Sequence, residues 1–109
     1  MNDFTPDELQ DKLKNSENVF LKLWKPGCGA CKLSEPAIER LEKQDAHRLL
    51  FVQINVEDFP EMLEIAETEV IPAFFVFSGG KMQGKRIGFK GLKVLQELIH
   101  EALDVDHKS

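Results

Sequence analysis

Only two of the 109 residues are cysteine, and no stretch of the chain is strongly basic, repetitive or apolar for long. Each scarcity excludes something. No apolar run approaches the ~20 residues that span a bilayer as a helix, so no membrane partner is expected. Lys and Arg number 14 against 19 Asp and Glu, which leaves a net charge of −5 and a pI of about 5.2. Without a basic stripe to neutralise phosphates, a nucleic acid is not an expected partner either. The acidic residues are scattered and read as a solvated surface, and with no exposed apolar stripe the expected state is a monomer. Absent too are linkers, repeats and low-complexity tracts. Residues 1–109 therefore read as a single domain, in which 104–109 form a polar, frayed tail. A domain of that size buries roughly two-thirds of its unfolded surface. The segment Met1–Glu8 is acidic and has no apolar h-region, so no secretory signal is read and a cytoplasmic protein is expected.

What the chain does have is the spacing of its two cysteines, Cys28-Gly-Ala-Cys31. Closing so short a loop removes little chain entropy, which makes a purely structural disulfide a poor explanation. In a reducing compartment such a pair is catalytic, redox-sensing or metal-binding. A strand-like run, Val19–Trp24, leads into it and a helical pattern follows. If helix begins at Cys28, the two side chains share one face with β-carbons about 5–6 Å apart. That lies within easy adjustment of disulfide geometry, so the pair can cycle between dithiol and disulfide without unfolding the chain. The alternatives are half of a zinc site or two unremarkable core cysteines, and a zinc site needs two further ligands. His47, His100 and His107 are the remaining candidates, and none has finger-like spacing to the pair. No metal and no cofactor are expected.

Thiolate, not thiol, attacks a disulfide. Cys28 at the helix start faces unpaired backbone N–H groups and the positive end of the macrodipole, and both favour the anion. Cys31, one turn further in, is more shielded. The asymmetry assigns Cys28 to attack and Cys31 to resolve the mixed disulfide.

Thr5-Pro-Asp-Glu8 carries the marks of a helix start: a capping Thr5, Pro6 in the first turn and Glu8 completing a capping box. Val19–Trp24 has apolar residues on both faces and reads as a central, covered strand. Residues 28–44 carry Ala30, Leu33, Ala37, Ile38 and Leu41 at helical spacing, with Pro36 kinking the helix. Leu49–Val56 is a strand, Asp58–Glu61 opens a short helix with Met62, Leu63 and Ala66 inward, and Ala73–Phe77 is the most apolar strand. Ser78–Lys81 turns into a weaker strand, Met82–Phe89. Gly91 starts a last helix striped by Leu92, Leu95, Ile99 and Ala102. The early alternation implies parallel pairing by right-handed crossovers, and the late hairpin adds antiparallel strands.

The run Leu23-Trp24-Lys-Pro-Gly-Cys28-Gly-Ala-Cys31-Lys32, with Pro36 five residues on, resembles the active-site region of the thioredoxin family. Val70-Ile71-Pro72 before an apolar strand is similar to that family's cis-proline segment, and Gly79-Gly80 and Gly88 fall where it carries glycines. The likeness runs from about Phe4 to Leu103, with the family's first strand short or missing. It implies an α/β thioredoxin fold, a mixed four- to five-stranded sheet with helices on both faces. It also implies a thiol–disulfide oxidoreductase that reduces protein disulfides through Cys28 and Cys31 and is recharged by a reductase such as thioredoxin reductase. Pro72 would then be cis, and Ile71 would offer main-chain groups to an extended substrate strand. Gly27, Ile71, Pro72 and Gly88 would border a shallow groove, with Trp24 packed beneath it.

Several positions depart from the family. Lys22 stands where thioredoxins hold a buried aspartate, and an ammonium there would tune the pair by stabilising thiolate. Gln53 replaces a common lysine, Pro26-Gly27 an aromatic, and Ala30 the usual intervening proline. Two other readings stay open: a thioredoxin-fold binding module that docks partners at Pro72, and a glutathione-dependent glutaredoxin-like protein.

Overall fold

The most apolar runs of the chain lie side by side. In a computed structural model, which describes residues 1–104, the sheet comprises β1 (Asn2–Asp3), β2 (Val19–Trp24), β3 (Leu50–Asn55), β4 (Ala73–Ser78) and β5 (Lys81–Ile87). Their order across the sheet is β1-β3-β2-β4-β5. β3 runs parallel to both β1 and β2, whereas β2–β4 and β4–β5 pair antiparallel. β2 is central, and Val19 to Leu23 are all buried, because its side chains meet a core on either face. The sheet is therefore the mixed five-stranded form, with β1 reduced to a two-residue strand.

Successive side chains of a strand point to opposite faces, so β2 feeds two cores. Phe20 lies with Phe51, Phe74 and Val76 under α3 (Glu35–Asp45) and α5 (Leu92–Asp104), which contribute Ile38, Leu41, Leu95, Leu98 and Ile99. Val19, Leu21 and Leu23 lie with Val52, Ile54 and Phe75 on the other face. There α1 (Pro6–Lys14) adds Leu9 and α4 (Glu61–Ile65) adds Met62. The capping box at the start of α1 is complete: Thr5 N–H donates to Glu8 Oε1 at 2.8 Å, and Glu8 N–H donates to Thr5 Oγ1 at 3.2 Å.

Two expectations change. The helix expected over 28–44 is divided into α2 (Gly29–Leu33) and α3, with Ser34 at the joint and Pro36 in the first turn of α3. Proline has no N–H to give the carbonyl four residues back, so the ladder breaks there and resumes at Ile38 N–H to Ser34 O, 3.0 Å. The break redirects α2: Cys31 and Ser34 turn inward, while Ala30 is exposed and Leu33, although it shares the helical apolar spacing, is 72% exposed. Asp104, expected in the tail, instead ends α5, where its carboxylate accepts from Arg48 at 2.9 Å. The remainder of the expected tail, with His107, lies outside the described residues.

Candidate active site

A tight turn carries the chain from the end of β2 to the cysteines. Pro26 suits its second position, and Gly27 takes φ +79° at the third, a left-handed conformation that favours glycine. Cys28 N–H closes the turn on Lys25 O at 3.4 Å. Cys28 then stands as the N-cap of α2 in an extended conformation, and its Sγ accepts the Cys31 N–H at 3.1 Å. The two cysteines are joined as a disulfide with Cα atoms 5.3 Å apart. Their exposure differs as the spacing implies: Cys28 is half-buried and Cys31 is 3% exposed.

An open cleft of about 330 Å³ surrounds them, lined by Trp24, Gly27, Cys28, Cys31, Lys32 and Glu35 among others. Trp24 sits in its wall, with an indole N–H that is buried and has no hydrogen-bond partner. Ile71, Pro72 and Gly88 do not line this cleft. The sheet nevertheless brings them to the same end. Leu23 pairs with Ala73 and Ala73 with Ile87, so one step further Trp24, Pro72 and Gly88 stand across three adjacent strands. Gly88 N–H donates to Pro72 O at 2.7 Å, and the Ile71–Pro72 bond is cis.

Lys22 stands two residues from Phe20 along β2, so it projects from the same face and enters the core beneath α2 and α3. It is 2% exposed, and its Nζ donates to the Cys31 carbonyl at 3.0 Å. The same oxygen accepts Ser34 Oγ–H at 2.6 Å. Burial pushes the Lys22 pKa below its ordinary 10.5, and the Glu35 carboxylate partly restores it. A second cleft of about 190 Å³ lies over Lys22, bordered by Glu35, Ile38, Glu39, Glu42, Gln53 and Met1. Its rim is held by the Met1 amino group donating to Glu42 at 3.1 Å. Glu35 borders both clefts.

Reading the sequence missed Ser34 and Glu35. The signal was the triplet Ser34-Glu-Pro36, a preferred N-cap residue before an acidic first turn and a proline, which marks a helix starting afresh. Here the Ser34 hydroxyl turns back to Cys31 rather than capping α3.

Because the native pKa of Lys22 is depressed, the unfolded chain binds its proton more readily. Stability attached to this residue must therefore rise with pH up to about 10.5, where the unfolded lysine also loses its proton. Urea midpoints of wild type and Lys22→Met across that range check this. The variant, with no buried amine to desolvate, is expected to be equally or more stable at pH 7. Its advantage should shrink as pH rises; a constant difference would show that the proton is not involved.

The comparisons with known proteins agree with this geometry. A family model described as Thioredoxin matches residues 1–101. Thioredoxin 1 of Chlorobaculum tepidum is 32% identical over 96 residues, covering 87% of this chain and 95% of that protein. A bifunctional thioredoxin reductase/thioredoxin of Mycobacterium leprae is 28% identical over 85 residues, 78% of this chain and 19% of its own length. Among solved structures, oxidized mitochondrial thioredoxin 3 of Saccharomyces cerevisiae superimposes with a TM-score of 0.81 at 21% identity, covering 91% of this chain and 93% of that one. With an N-capping cysteine bonded to a buried partner one turn on, in this fold and with these relatives, the chain is a thiol–disulfide oxidoreductase and belongs to the thioredoxin family.

Proposed function

We propose that Cys28 is the attacking sulfur and Cys31 the resolving one in the reduction of protein disulfides. The observation that carries this is their unequal exposure on a helix that begins between them. Cys28, half-buried at the cleft, can meet an incoming disulfide; Cys31, 3% exposed, can reach only Cys28. The N–H that Cys31 gives Cys28 Sγ favours its anion. The Cys28 thiolate attacks one substrate sulfur, the substrate S–S bond breaks, and the leaving sulfur takes a proton. Cys31 then displaces the second substrate sulfur from Cys28, which leaves the oxidised pair and a substrate dithiol.

The substrate lies as an extended segment across Gly27, Ile71, Pro72 and Gly88, with Trp24 behind them. Support comes from the register that sets Trp24, Pro72 and Gly88 in a row at the sheet end where the cysteines emerge. Lys22 tunes the pair, since an ammonium against the Cys31 backbone favours thiolate over thiol. The natural recharging partner is a thioredoxin reductase, a reading supported by the M. leprae relative whose name joins both activities. The protein acts as a cytoplasmic monomer. A reducing compartment suits a dithiol that must be regenerated. The exposed large apolar residues, Leu33, Ile65, Val70 and Met82, are spread over α2, α4, the loop before Pro72 and β5.

Insulin reduction followed by turbidity, with dithiothreitol as the terminal reductant, tests the activity. Acceleration well above the dithiothreitol background is expected. A rate equal to background would leave a binding module, and turnover only when coupled to glutathione would indicate a glutaredoxin-like protein.

A further inference from the structure

The segment that joins β3 to β4 differs from the rest of the chain in charge. Residues 57–69 hold Glu57, Asp58, Glu61, Glu64, Glu67 and Glu69 and no Lys, Arg or His, more negative charge than the whole protein's net −5. All six are exposed, and among the described residues none is paired with a cation. The topology fixes where they stand. β3 and β4 flank β2, the first parallel to it and the second antiparallel, so the segment leaves and rejoins the sheet at the end where the cysteines emerge. Just before it Val56 N–H donates to Trp24 O at 2.8 Å, and just after it comes the cis Ile71–Pro72 bond. The segment is also partly apolar. A groove of about 520 Å³ runs through it, lined by Pro60, Leu63, Glu64, Glu67, Thr68 and Glu69. Ile65 within the segment and Val70 at its end are 69% and 53% exposed. Exposed apolar side chains rimmed by polar ones have the composition of a docking surface.

We propose that this groove receives a cationic, partly apolar flank of the substrate protein, so that the enzyme selects disulfides that lie beside Lys- or Arg-bearing sequence. This rests on the reading that the substrate lies extended across Ile71 and Pro72. A chain seated on Ile71 that continues past Val70 reaches Thr68 and Glu69, which line the groove. There its cationic side chains meet unpaired carboxylates, and an aliphatic side chain between them covers Pro60 and Leu63. A second copy of this chain is a poor occupant, because the net −5 of each copy is repelled by the other's carboxylates. Toward the cysteines the sign of the surface changes. Their cleft is lined by Lys25 and Lys32, both exposed, beside Glu35. Cationic sequence is therefore held off the α2 side and drawn to the α4 side, which sets the direction in which the substrate lies. Attraction between exposed charges acts chiefly on encounter, so the selectivity belongs to the rate of attack and weakens as salt screens it.

Synthetic peptides test this, each closed by one intramolecular disulfide and carrying Lys-Leu-Lys or Glu-Leu-Glu either before or after it. Reduced protein is mixed with each peptide, and the single-turnover rate of peptide reduction is followed at low and high salt. On one side of the disulfide the cationic flank should be favoured over the acidic one on the order of tenfold at low salt. The ratio should approach unity at high salt. Glu64→Gln/Glu69→Gln, which neutralises two carboxylates of the groove, should lower the ratio several-fold. Asp11→Asn/Glu97→Gln removes as many exposed carboxylates from α1 and α5 and should leave it in place. Serine in place of the leucine of the favoured flank should slow reduction by wild type. Equal rates for cationic and acidic flanks, an equal fall of the ratio in the two variants, or an unslowed serine peptide overturns the groove while leaving disulfide reduction intact. A ratio that fades as protein concentration rises would put a second copy in the groove and overturn it as well. If no peptide is reduced, the reading of Cys28 as the attacking sulfur fails, and the proposal fails with it.

Discussion

Replacing Cys28 with serine ends disulfide reduction, and replacing Cys31 with serine leaves the protein tethered to its substrate. Both variants should fall to the dithiothreitol background in insulin reduction, so turnover alone does not separate the two roles. The adduct does. With Cys31→Ser the Cys28 thiolate still attacks, but the hydroxyl that replaces the second sulfur cannot displace the substrate, since only a thiolate exchanges with a disulfide under these conditions. A mixed disulfide should therefore accumulate and run as a slower band on a non-reducing gel, one that dithiothreitol removes. With Cys28→Ser the remaining thiol is 3% exposed and cannot approach a protein disulfide, so no adduct forms. Neither result reduces to unfolding. Serine is a preferred N-cap residue, so Cys28→Ser keeps or improves the start of α2. Adduct on the Cys28→Ser variant alone would reverse the assignment.

The sequence carried most of this because its strongest signals are local. A proline one residue after a capping threonine, and two cysteines one helical turn apart between a strand and a helix, depend only on neighbours a few residues away. The structure realises both as read. Where reading failed, two local signals competed. The apolar spacing of Ala30, Leu33, Ala37, Ile38 and Leu41 fits one continuous helix, while Ser34-Glu-Pro36 starts a new one. The backbone cannot satisfy both, and the proline prevails because its missing N–H is not negotiable. Non-local facts were less legible. That Lys22 lies buried follows from β2 being central and from side-chain alternation, but its contact with the Cys31 carbonyl depends on how α2 settles after the break. Ser34 and Glu35 became visible as site neighbours only once that break was placed. The row of Trp24, Pro72 and Gly88 likewise follows from strand register, which no single segment encodes.

Phe20→Ala should be among the most destabilising single substitutions in the chain, and pairing it with Leu33→Ala turns the helix break into a measurement. Phe20 is 0% exposed. Its ring stacks on Phe51 at a centroid distance of 4.9 Å and tilts against Phe74 at 6.0 Å. Around this trio pack Ile38 and Leu41 of α3 and Leu95, Leu98 and Ile99 of α5. Truncation removes the transfer free energy of the ring and opens a cavity that two helices and a five-stranded sheet cannot collapse to fill, at a cost of about 3–5 kcal/mol. The lost aromatic contacts belong to the same cost. Against a total of about 5–15 kcal/mol for a domain, that is a large fraction, and the urea midpoint should fall steeply with the slope unchanged. The cost also bears on chemistry, since Phe20 and Lys22 extend from the same face of β2 and the same α3 covers both. Leu33→Ala makes the opposite case. On an unbroken helix Leu33 would sit in the apolar stripe and its loss would cost several kcal/mol. In the observed fold it is 72% exposed, so the change should stay within about 0.5 kcal/mol. A Leu33→Ala midpoint displaced as far as that of Phe20→Ala would mean that the helix runs through Ser34 uninterrupted, and the inward turn of Cys31 would go with it.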